Sequence, residues 1–320
     1  MKKFFCVMLT AMLLISLFSG CGNTDDGVIK VAIVQQLDHS SLNEIRDAVE
    51  AELLAKGEEL GLNIQCKSFN GQNDGSVLSQ IGAQVISGGY DLIIPIATQA
   101  AQSMVLAADG NIPVVYAAVS DPEGAGLTGF DNVTGTSDAL NTPFILEMML
   151  AVQPDIQTVG LLYSNSEPNS TLPIAQAKEY LEAKGIACVE KTGNSADEVL
   201  AAANALAGKV DAVFTPTDNA IMACEAAVAE ILTQAGIPHY AGADSFVISG
   251  AFATCGVNYT ELGIRTAQMA LQILTSGQMP DHHVMDGGII TVNTQTAGAL
   301  KLDYSAFSSL ANTVKEVVTE

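Results

Sequence analysis

Residues 90–97 read YDLIIPIA and residues 210–216 read VDAVFTP, and these two stretches decide the fold. Each is a short, nearly uninterrupted apolar run, which is typical of a strand covered on both faces by helices. They occupy equivalent places in two copies of one pattern, which runs strand, helix, strand, helix, strand, helix, short strand. The first copy begins with VIKVAIV at Val28 and the second with IQTVGLLYS at Ile156.

Helical patterns separate the apolar runs. SLNEIRDAVEAELLAKGEELG (41–61) and TLPIAQAKEYLEAKG (171–185) place Ala and Leu at i, i+3, i+4 spacing, and both approach a Lys-Gly stop. Since βαβ crossovers are right-handed, each copy should form a parallel, helix-covered sheet. The sequence therefore predicts an α/β fold of two similar lobes, each a parallel sheet with helices on both faces.

The chain continues after the second copy with a further helix and a further strand. We therefore expect it to return to the first lobe and cross back, which makes a three-segment hinge near 132–137, 255–259 and 289–293. The predicted N-terminal lobe is 28–133 plus 257–287. The predicted C-terminal lobe is 134–256 plus 288–320.

The first residues have the features of an export signal. Lys2 and Lys3 precede an apolar run over 7–18, and Ser19-Gly20-Cys21 follows. This order resembles the lipobox of bacterial lipoproteins, which implies a signal peptide over 1–20, lipidation of Cys21 and a tether over 21–27. An ordinary signal peptide or a short membrane anchor is the alternative. We expect an extracytoplasmic protein held at the membrane by lipid.

Charge and cysteine content exclude several classes of site. With 13 Lys+Arg against 35 Asp+Glu and a net charge of −22, the chain lacks the basic footprint of a nucleic-acid-binding protein. Cys66, Cys188, Cys224 and Cys255 are widely spaced, which predicts no zinc site and leaves any disulfide pairing open. His282 and His283 are adjacent and point apart, so a solvated loop is expected there. We predict no metal and no cofactor.

Polar residues follow nearly every predicted strand, at the sheet edge where ligands bind in open α/β folds. Two such edges facing each other make a cleft that suits a zwitterion, whose ammonium needs a carboxylate and whose carboxylate needs helix N-termini and hydroxyls. Simple helix capping is the alternative for each Ser, Thr or Asn. The predicted ligand-binding residues are Gln36, Asp38, Thr98, Gln99, Ser120, Asp121, Glu167, Asn169, Ser170, Thr217, Asp218, Asn219 and Asp244. On this view Asp218→Ala weakens binding and leaves the fold intact.

Six segments carry a resemblance that covers nearly all of the chain after the leader. They are IATQAAQ, GNIPVVYAAVSDPEGAGL, NVTGTSD, VGLLYSNSEPNS, FTPTDNAI and GVNYTELG, in this order. Together they resemble the tryptophan/tyrosine-type ABC transporter substrate-binding family, of type I periplasmic-binding architecture. The resemblance implies uptake of a small amino acid-like ligand by domain closure, with a separate permease and ATPase as partners. The chain has no Trp, and Tyr163 and Phe246 are the aromatic candidates for the cleft, each with a place in the core as the alternative.

Two other classes of function remain open at this point. A two-domain α/β enzyme such as an amino acid racemase would need catalytic groups between the lobes, and Cys66 and Cys224 are the candidates. No nucleophile elbow, Walker A loop or dinucleotide fingerprint occurs. A ligand-sensing lobe that docks on a receptor is the other alternative.

Overall fold

The computed structural model describes residues 27–319, and the predicted leader, Cys21 and most of the tether lie outside them. The strands are, in chain order, β1 (Val28–Gln35), β2 (Asn63–Asn70), β3 (Leu92–Ile96), β4 (Val114–Tyr116), β5 (Val133–Ser137), β6 (Thr158–Tyr163), β7 (Ala187–Thr192), β8 (Ala212–Thr215), β9 (His239–Ala241), β10 (Ala253–Gly256), β11 (His283–Val284), β12 (Ile289–Asn293) and β13 (Thr313–Val317). The helices are α1 (Ser40–Glu59), α2 (Gly75–Gly88), α3 (Thr98–Ala108), α4 (Thr142–Val152), α5 (Thr171–Ala183), α6 (Ala196–Leu206), α7 (Asn219–Met222), α8 (Glu225–Gln234), α9 (Asp244–Ile248), α10 (Tyr259–Ser276), α11 (Thr294–Leu300) and α12 (Phe307–Leu310). A 3-10 turn, Pro168–Ser170, precedes α5.

The strands form two sheets, one in each lobe. The first has the order β11-β5-β4-β3-β1-β2 and all its strand pairs are parallel. The second has the order β13-β12-β10-β9-β8-β6-β7. The predicted α/β class with two similar lobes is confirmed.

Both faces of each sheet are covered by helices, because alternate side chains of a strand point to opposite faces. In β1, Val31 and Ile33 pack in one apolar cluster with α1, whereas Ala32 and Val34 pack in another with α2 and α3. In the second sheet, β6 also packs on both faces. Leu161 packs against residues of α4 and α5, and Leu162 packs in the cluster that includes residues of α6 and α8.

One strand pair departs from the prediction of two purely parallel sheets. β12 runs antiparallel to β10. The reason lies in the crossings: β10 ends at the hinge, the chain then visits the first lobe, and β12 starts from the hinge and runs away from it. The second sheet is therefore parallel except at this junction.

Three short segments pass between the sheets, namely residues 138–141, 257–258 and 285–288. The predicted middle crossing agrees with the structure. The two outer crossings lie about one strand away from their predicted positions, since 132–137 is largely β5 of the first sheet and 289–293 is β12 of the second. The exact division into lobes by residue number stays a prediction.

The lobes touch in the middle of the molecule. A single apolar cluster includes Leu42 and Ala97 of the first lobe together with Ala243 and Phe246 of the second. The structure is therefore a closed form, in which the facing sheet edges are in contact.

Candidate functional site

A narrow cavity of about 30 Å³ lies where the carboxyl ends of the two sheets face each other. Its wall comes from both lobes and the hinge, and it combines apolar and polar side chains. It is lined by His39, Ser41, Leu42, Ala97, Thr98, Ala118 and Ser120 of the first lobe, by Asn169, Thr217, Asn219, Met222, Ala243, Ser245 and Phe246 of the second, by Asp138 of the hinge and by Tyr259, the first residue of α10.

Asp138 is the carboxylate of this cavity. It is buried, and its Oδ1 accepts a hydrogen bond from Ser120 Oγ at 2.9 Å, while its Oδ2 accepts one from the Tyr259 hydroxyl at 3.4 Å. Burial raises its pKa, and these hydrogen bonds counter part of the shift. Within residues 27–319 it forms no salt bridge. A cationic group in the cavity would therefore meet an uncompensated carboxylate.

Three more polar atoms at the cavity are buried and have no hydrogen-bond partner among the described residues. They are His39 Nδ1, Asn169 Oδ1 and Ser245 Oγ. An unsatisfied buried polar group costs about 1–3 kcal/mol, and buried polar atoms are normally paired. Unpaired groups from both lobes thus line the same small space, where a polar ligand could satisfy them.

The first lobe also brings a strained main chain to the cavity. Ala97 has φ 75° and ψ 163°, a region that is essentially reserved for glycine, and Ala118 has φ 52°. Ala97 directly precedes α3, and its side chain supplies no cap to the helix. Ala97 and the buried Thr98 both line the cavity, so the N-terminal end of α3, with its partial positive charge, lies at the cavity wall.

A hydrogen-bonded latch formed by Gln36, Gln99 and Glu167 joins the lobes beside the cavity. Gln36 Nε2 and Gln99 Nε2 donate to Glu167 Oε1 at 2.9 Å and 2.8 Å, and Gln99 N donates to Gln36 Oε1 at 3.2 Å. Asn219 Nδ2 donates to Glu167 Oε2 at 2.8 Å. Burial, followed by the charge of Asp218, raises the pKa of Glu167 to about 8. All four are predicted ligand-binding residues; in the closed form they bind each other, and Asn219 also lines the cavity.

Asp218 is enclosed within the second lobe. Its Oδ2 accepts hydrogen bonds from Ser164 N and Ser170 Oγ, both at 2.7 Å, and its Oδ1 caps α7 by accepting from Ile221 N at 3.0 Å. Burial raises its pKa to about 6, against the effect of these hydrogen bonds. Since neither Asp218 nor Ser170 lines the cavity, both support the loops that do.

The remaining predicted residues divide into two groups. Thr217 Oγ1 lies 3.1 Å from Ser120 Oγ, and Ser41 Oγ donates to Asp244 Oδ1 at 3.1 Å, so both pairs bridge the lobes. Asp38 and Asp121 lie away from the cavity lining: Asp38 is exposed and accepts from Asn70, and Asp121 accepts from Gly124 N.

Of the two aromatic candidates, the structure brings one to the cavity. Phe246 lines it, whereas Tyr163 donates a hydrogen bond to Glu190 of the edge strand β7. Sequence reasoning missed His39, Ser41, Asp138, Ser245 and Tyr259. Asp138 had one available signal, because it is the charged residue that directly follows the strand at the first crossing.

The cysteines lie apart from the cavity lining. Cys66, Cys188, Cys224 and Cys255 are free thiols in the described chain, and burial raises the pKa of each. Residues 27–319 contain no cluster of His, Cys, Asp or Glu that could hold a metal ion. Over the same residues, no helix combines the length and apolar character needed to cross a membrane.

The chain is similar to known proteins that bind small solutes. A family profile described as ABC transporter substrate binding protein matches residues 30–316. A tyrosine-binding protein of Clostridioides difficile (strain R20291) is 30% identical over 321 residues, covering 94% of this chain and 93% of that protein.

Two solved structures are also similar. The ABC domain in complex with L-Trp from Streptococcus pneumonia has a TM-score of 0.83 and 28% identity, with 89% of this chain and 99% of that chain covered. A ligand-free, open substrate-binding protein with adhesive properties from Clostridium difficile has a TM-score of 0.68 and 33% identity, with 91% and 100% covered. The chain superposes better on the complex although its sequence is closer to the open protein, which agrees with its closed lobes.

Proposed function

The chain belongs to the family of ABC transporter substrate-binding proteins, and on that premise we propose that it captures an aromatic amino acid between its lobes for import. Proteins of this family act outside the cytoplasm and bind solutes rather than transform them. The observation that carries the proposal is Asp138, a buried carboxylate without a cationic partner in the described chain, facing a cavity shared by both lobes.

An α-ammonium group fits this carboxylate. A buried charge is costly unless it is paired and hydrogen-bonded, and a ligand ammonium supplies both a charge and donors. Asp138 lies in the hinge, between Ser120 and Tyr259, so an ammonium bound there contacts the segment about which the lobes move. Binding at this point is coupled to closure.

The α-carboxylate of the ligand finds donors on both lobes. The N-terminal end of α3 at Thr98 favours an anion, and the unpaired Ser245 hydroxyl of the second lobe can donate to it. Because these donors come from opposite lobes, the zwitterion gains all its contacts only when the lobes are together, and binding shifts the population towards the closed form.

The aromatic ring is assigned from the apolar wall and from the relatives. Leu42, Met222 and Phe246 give the cavity an apolar side from both lobes. Related proteins are described as tyrosine-binding and as a complex with L-Trp. Small-molecule pockets usually measure about 300–1,000 Å³, so the cavity of about 30 Å³ must widen to hold an aromatic amino acid, by movement of its side chains or of the lobes.

The cellular setting follows from the same family. We propose that Cys21 is lipidated after cleavage of the leader, that the lipid holds the protein at the outer face of the membrane, and that a permease with its ATPase receives the ligand. Mass spectrometry of membrane-extracted protein tests the anchor, since a diacylated N-terminal Cys21 is expected and an intact leader contradicts it.

Isothermal titration calorimetry of the chain from Cys21 onwards, with L-tyrosine, L-tryptophan and L-phenylalanine, tests the ligand class. We expect one binding site per chain for an aromatic amino acid and none for a neutral sugar such as glucose, which lacks an ammonium group. Binding of the sugar, or no binding of any amino acid, contradicts the proposal.

A further inference from the structure

His39 has a ring nitrogen for which the structure provides no partner. The residue directly precedes α1 in the first lobe and lines the cavity. Its Nε2 lies 3.3 Å from Asn219 Oδ1 of the second lobe. Its Nδ1 is buried and unpaired among the described residues.

The neighbours of His39 determine which nitrogen carries the proton. Asn219 Nδ2 donates to Glu167 Oε2 at 2.8 Å, so the amide oxygen of Asn219 is the atom that faces the imidazole. An amide oxygen only accepts, so the tautomer of His39 that completes this pair carries its proton on Nε2. Burial lowers the pKa of His39 to about 4, although the bond to Asn219 and the charge of Asp38 act in the opposite direction. The ring is therefore neutral near pH 7, and Nδ1 is an acceptor without a donor.

The α-ammonium of the ligand already has other acceptors. The Asp138 carboxylate, once paired with the ammonium, attracts it more strongly than a neutral imidazole can. Asn169 Oδ1 is a further unpaired acceptor, since its Nδ2 donates to the Thr217 carbonyl. Asp138 and Asn169 are linked to each other through Ser120 and Thr217, whereas His39 is bonded to Asn219. We therefore assign the acceptor at His39 to a donor elsewhere on the ligand.

We propose that His39 Nδ1 accepts a hydrogen bond from the side chain of the ligand, so that the site selects aromatic amino acids whose ring carries an O–H or N–H group over phenylalanine. This inference rests on the proposed function and refines it. The phenol of tyrosine and the indole of tryptophan carry such a donor, whereas the phenylalanine ring leaves Nδ1 unsatisfied. Leaving a buried acceptor unpaired costs about 1–3 kcal/mol, which corresponds to roughly 5- to 150-fold in affinity.

Calorimetry with the three amino acids on the wild type and on His39→Phe tests the assignment. The phenyl ring keeps much of the volume of the imidazole but removes the acceptor. We expect the wild type to bind tyrosine or tryptophan at least about tenfold more tightly than phenylalanine, and His39→Phe to bring this ratio close to one, mainly by weakening the donor-bearing ligands. His282→Phe, in an exposed loop away from the cavity, is the matched control and should keep the wild-type ratio.

Two calorimetric results would overturn the assignment. One is a ratio unchanged by His39→Phe; the other is an equal loss for all three amino acids, which would place His39 against the shared ammonium or carboxylate. If no amino acid binds the wild type, the proposed function fails and the assignment with it.

A measurement on the wild type keeps the test independent of the folding of the variant. Nitrogen-15 chemical shifts of the His39 ring should show Nε2 protonated and Nδ1 unprotonated. Adding tyrosine or tryptophan should shift the Nδ1 resonance in the direction of an accepted hydrogen bond, and adding phenylalanine should not. A protonated Nδ1, or the same shift with all three ligands, contradicts the proposal.

Discussion

The first lobe meets the cavity with strained main chain and neutral side chains, whereas the second lobe brings carboxylates to its edge that are already engaged. Ala97 and Ala118 of the first lobe have positive φ, and Thr98 begins a helix there. In the second lobe Glu167 accepts bonds from three amide groups, and Asp218 is held by its own loops. Two sheets of similar topology thus present different chemistry at equivalent edges.

This difference indicates which carboxylate is free to bind the ammonium group of the proposed ligand. A carboxylate that accepts several hydrogen bonds from its own protein has little capacity left for a ligand, and its loss damages the protein first. The cavity carboxylate belongs to neither sheet edge, because Asp138 lies in the hinge, and its partners are two hydroxyl groups. In the proposed site the two lobes form the walls, and Asp138 of the hinge provides the charge.

Asp138→Asn should give the largest loss of affinity. The amide keeps the shape of the carboxylate but removes the charge that we assign to the ligand ammonium. Loss of one partner of a buried charge pair commonly costs about 2–5 kcal/mol, so calorimetry with the aromatic amino acid that the wild type binds should show a loss of roughly 30-fold or more. Asp155→Asn, at an exposed turn, is the control and should bind normally. Unchanged affinity in Asp138→Asn would move the ammonium site elsewhere.

Asp218→Ala should act on stability, contrary to the prediction from sequence that it weakens binding and leaves the fold intact. It removes the cap of α7 and leaves the donors of Ser164 and Ser170 unpaired inside the lobe. We expect the free energy of unfolding, measured by urea denaturation, to fall by about 2–4 kcal/mol. Asp74→Ala, which removes the exposed cap of α2 in the first lobe, is the matched control and should cost only about 1 kcal/mol. Equal losses in the two variants would contradict the supporting role of Asp218.

The latch makes ligand affinity depend on pH, because Glu167 is buried against the first lobe in the closed form. Its pKa is raised to about 8 in that form, so closure of the lobes favours the protonated carboxyl group. The contribution of this proton to the stability of the closed form is fully present below the ordinary carboxyl pKa of 4.5 and is lost as the pH rises to about 8. We expect the part of the wild-type affinity that depends on Glu167 to fall by several-fold as the pH rises to about 8, within the limit of about 1.4 kcal/mol per unit. At acid pH, protonation of Asp138, whose pKa is also raised, acts in the opposite direction and weakens ammonium binding. Glu167→Gln cannot ionise and should flatten the fall on the alkaline side of the profile. An equally steep profile in the variant would assign the pH dependence to another group.

Ser41→Ala should have the smallest effect. The variant removes one hydrogen bond across the cleft, from Ser41 Oγ to Asp244 Oδ1. A single bond of this kind contributes about 0.5–1.5 kcal/mol, so affinity should fall by no more than roughly tenfold. Ser40→Ala, one residue earlier and exposed, should change nothing. A loss as large as that of Asp138→Asn would mean that Ser41 contacts the ligand directly.

The sequence predicts the fold and part of the site for physical reasons. Apolar runs such as LIIPI predict buried parallel strands, and the rule that ligands bind beyond the carboxyl ends of such strands selects Thr98, Ser120, Asn169 and Thr217, which do line the cavity. Whether they contact a ligand stays a prediction until one is seen there.

The rest of the site depends on contacts between residues far apart in the chain. Gln36 and Glu167 are 131 residues apart, and their pairing decides that Glu167 belongs to the latch. Asp138 follows β5 at a crossing, and the sequence placed that crossing a few residues too early, within the strand itself. The sequence does not distinguish a carboxylate that is bonded to amide groups, such as Glu167, from one that lines a cavity, such as Asp138.

A crystal structure of the complex with L-tyrosine or L-tryptophan tests the role of Asp138 through the distance from the ligand's α-nitrogen to the Asp138 carboxylate. We expect a charge-assisted hydrogen bond of about 2.7–2.9 Å in the cavity between the lobes. An α-nitrogen bound instead to Glu167 or Asp244, or a ligand outside that cavity, would contradict it.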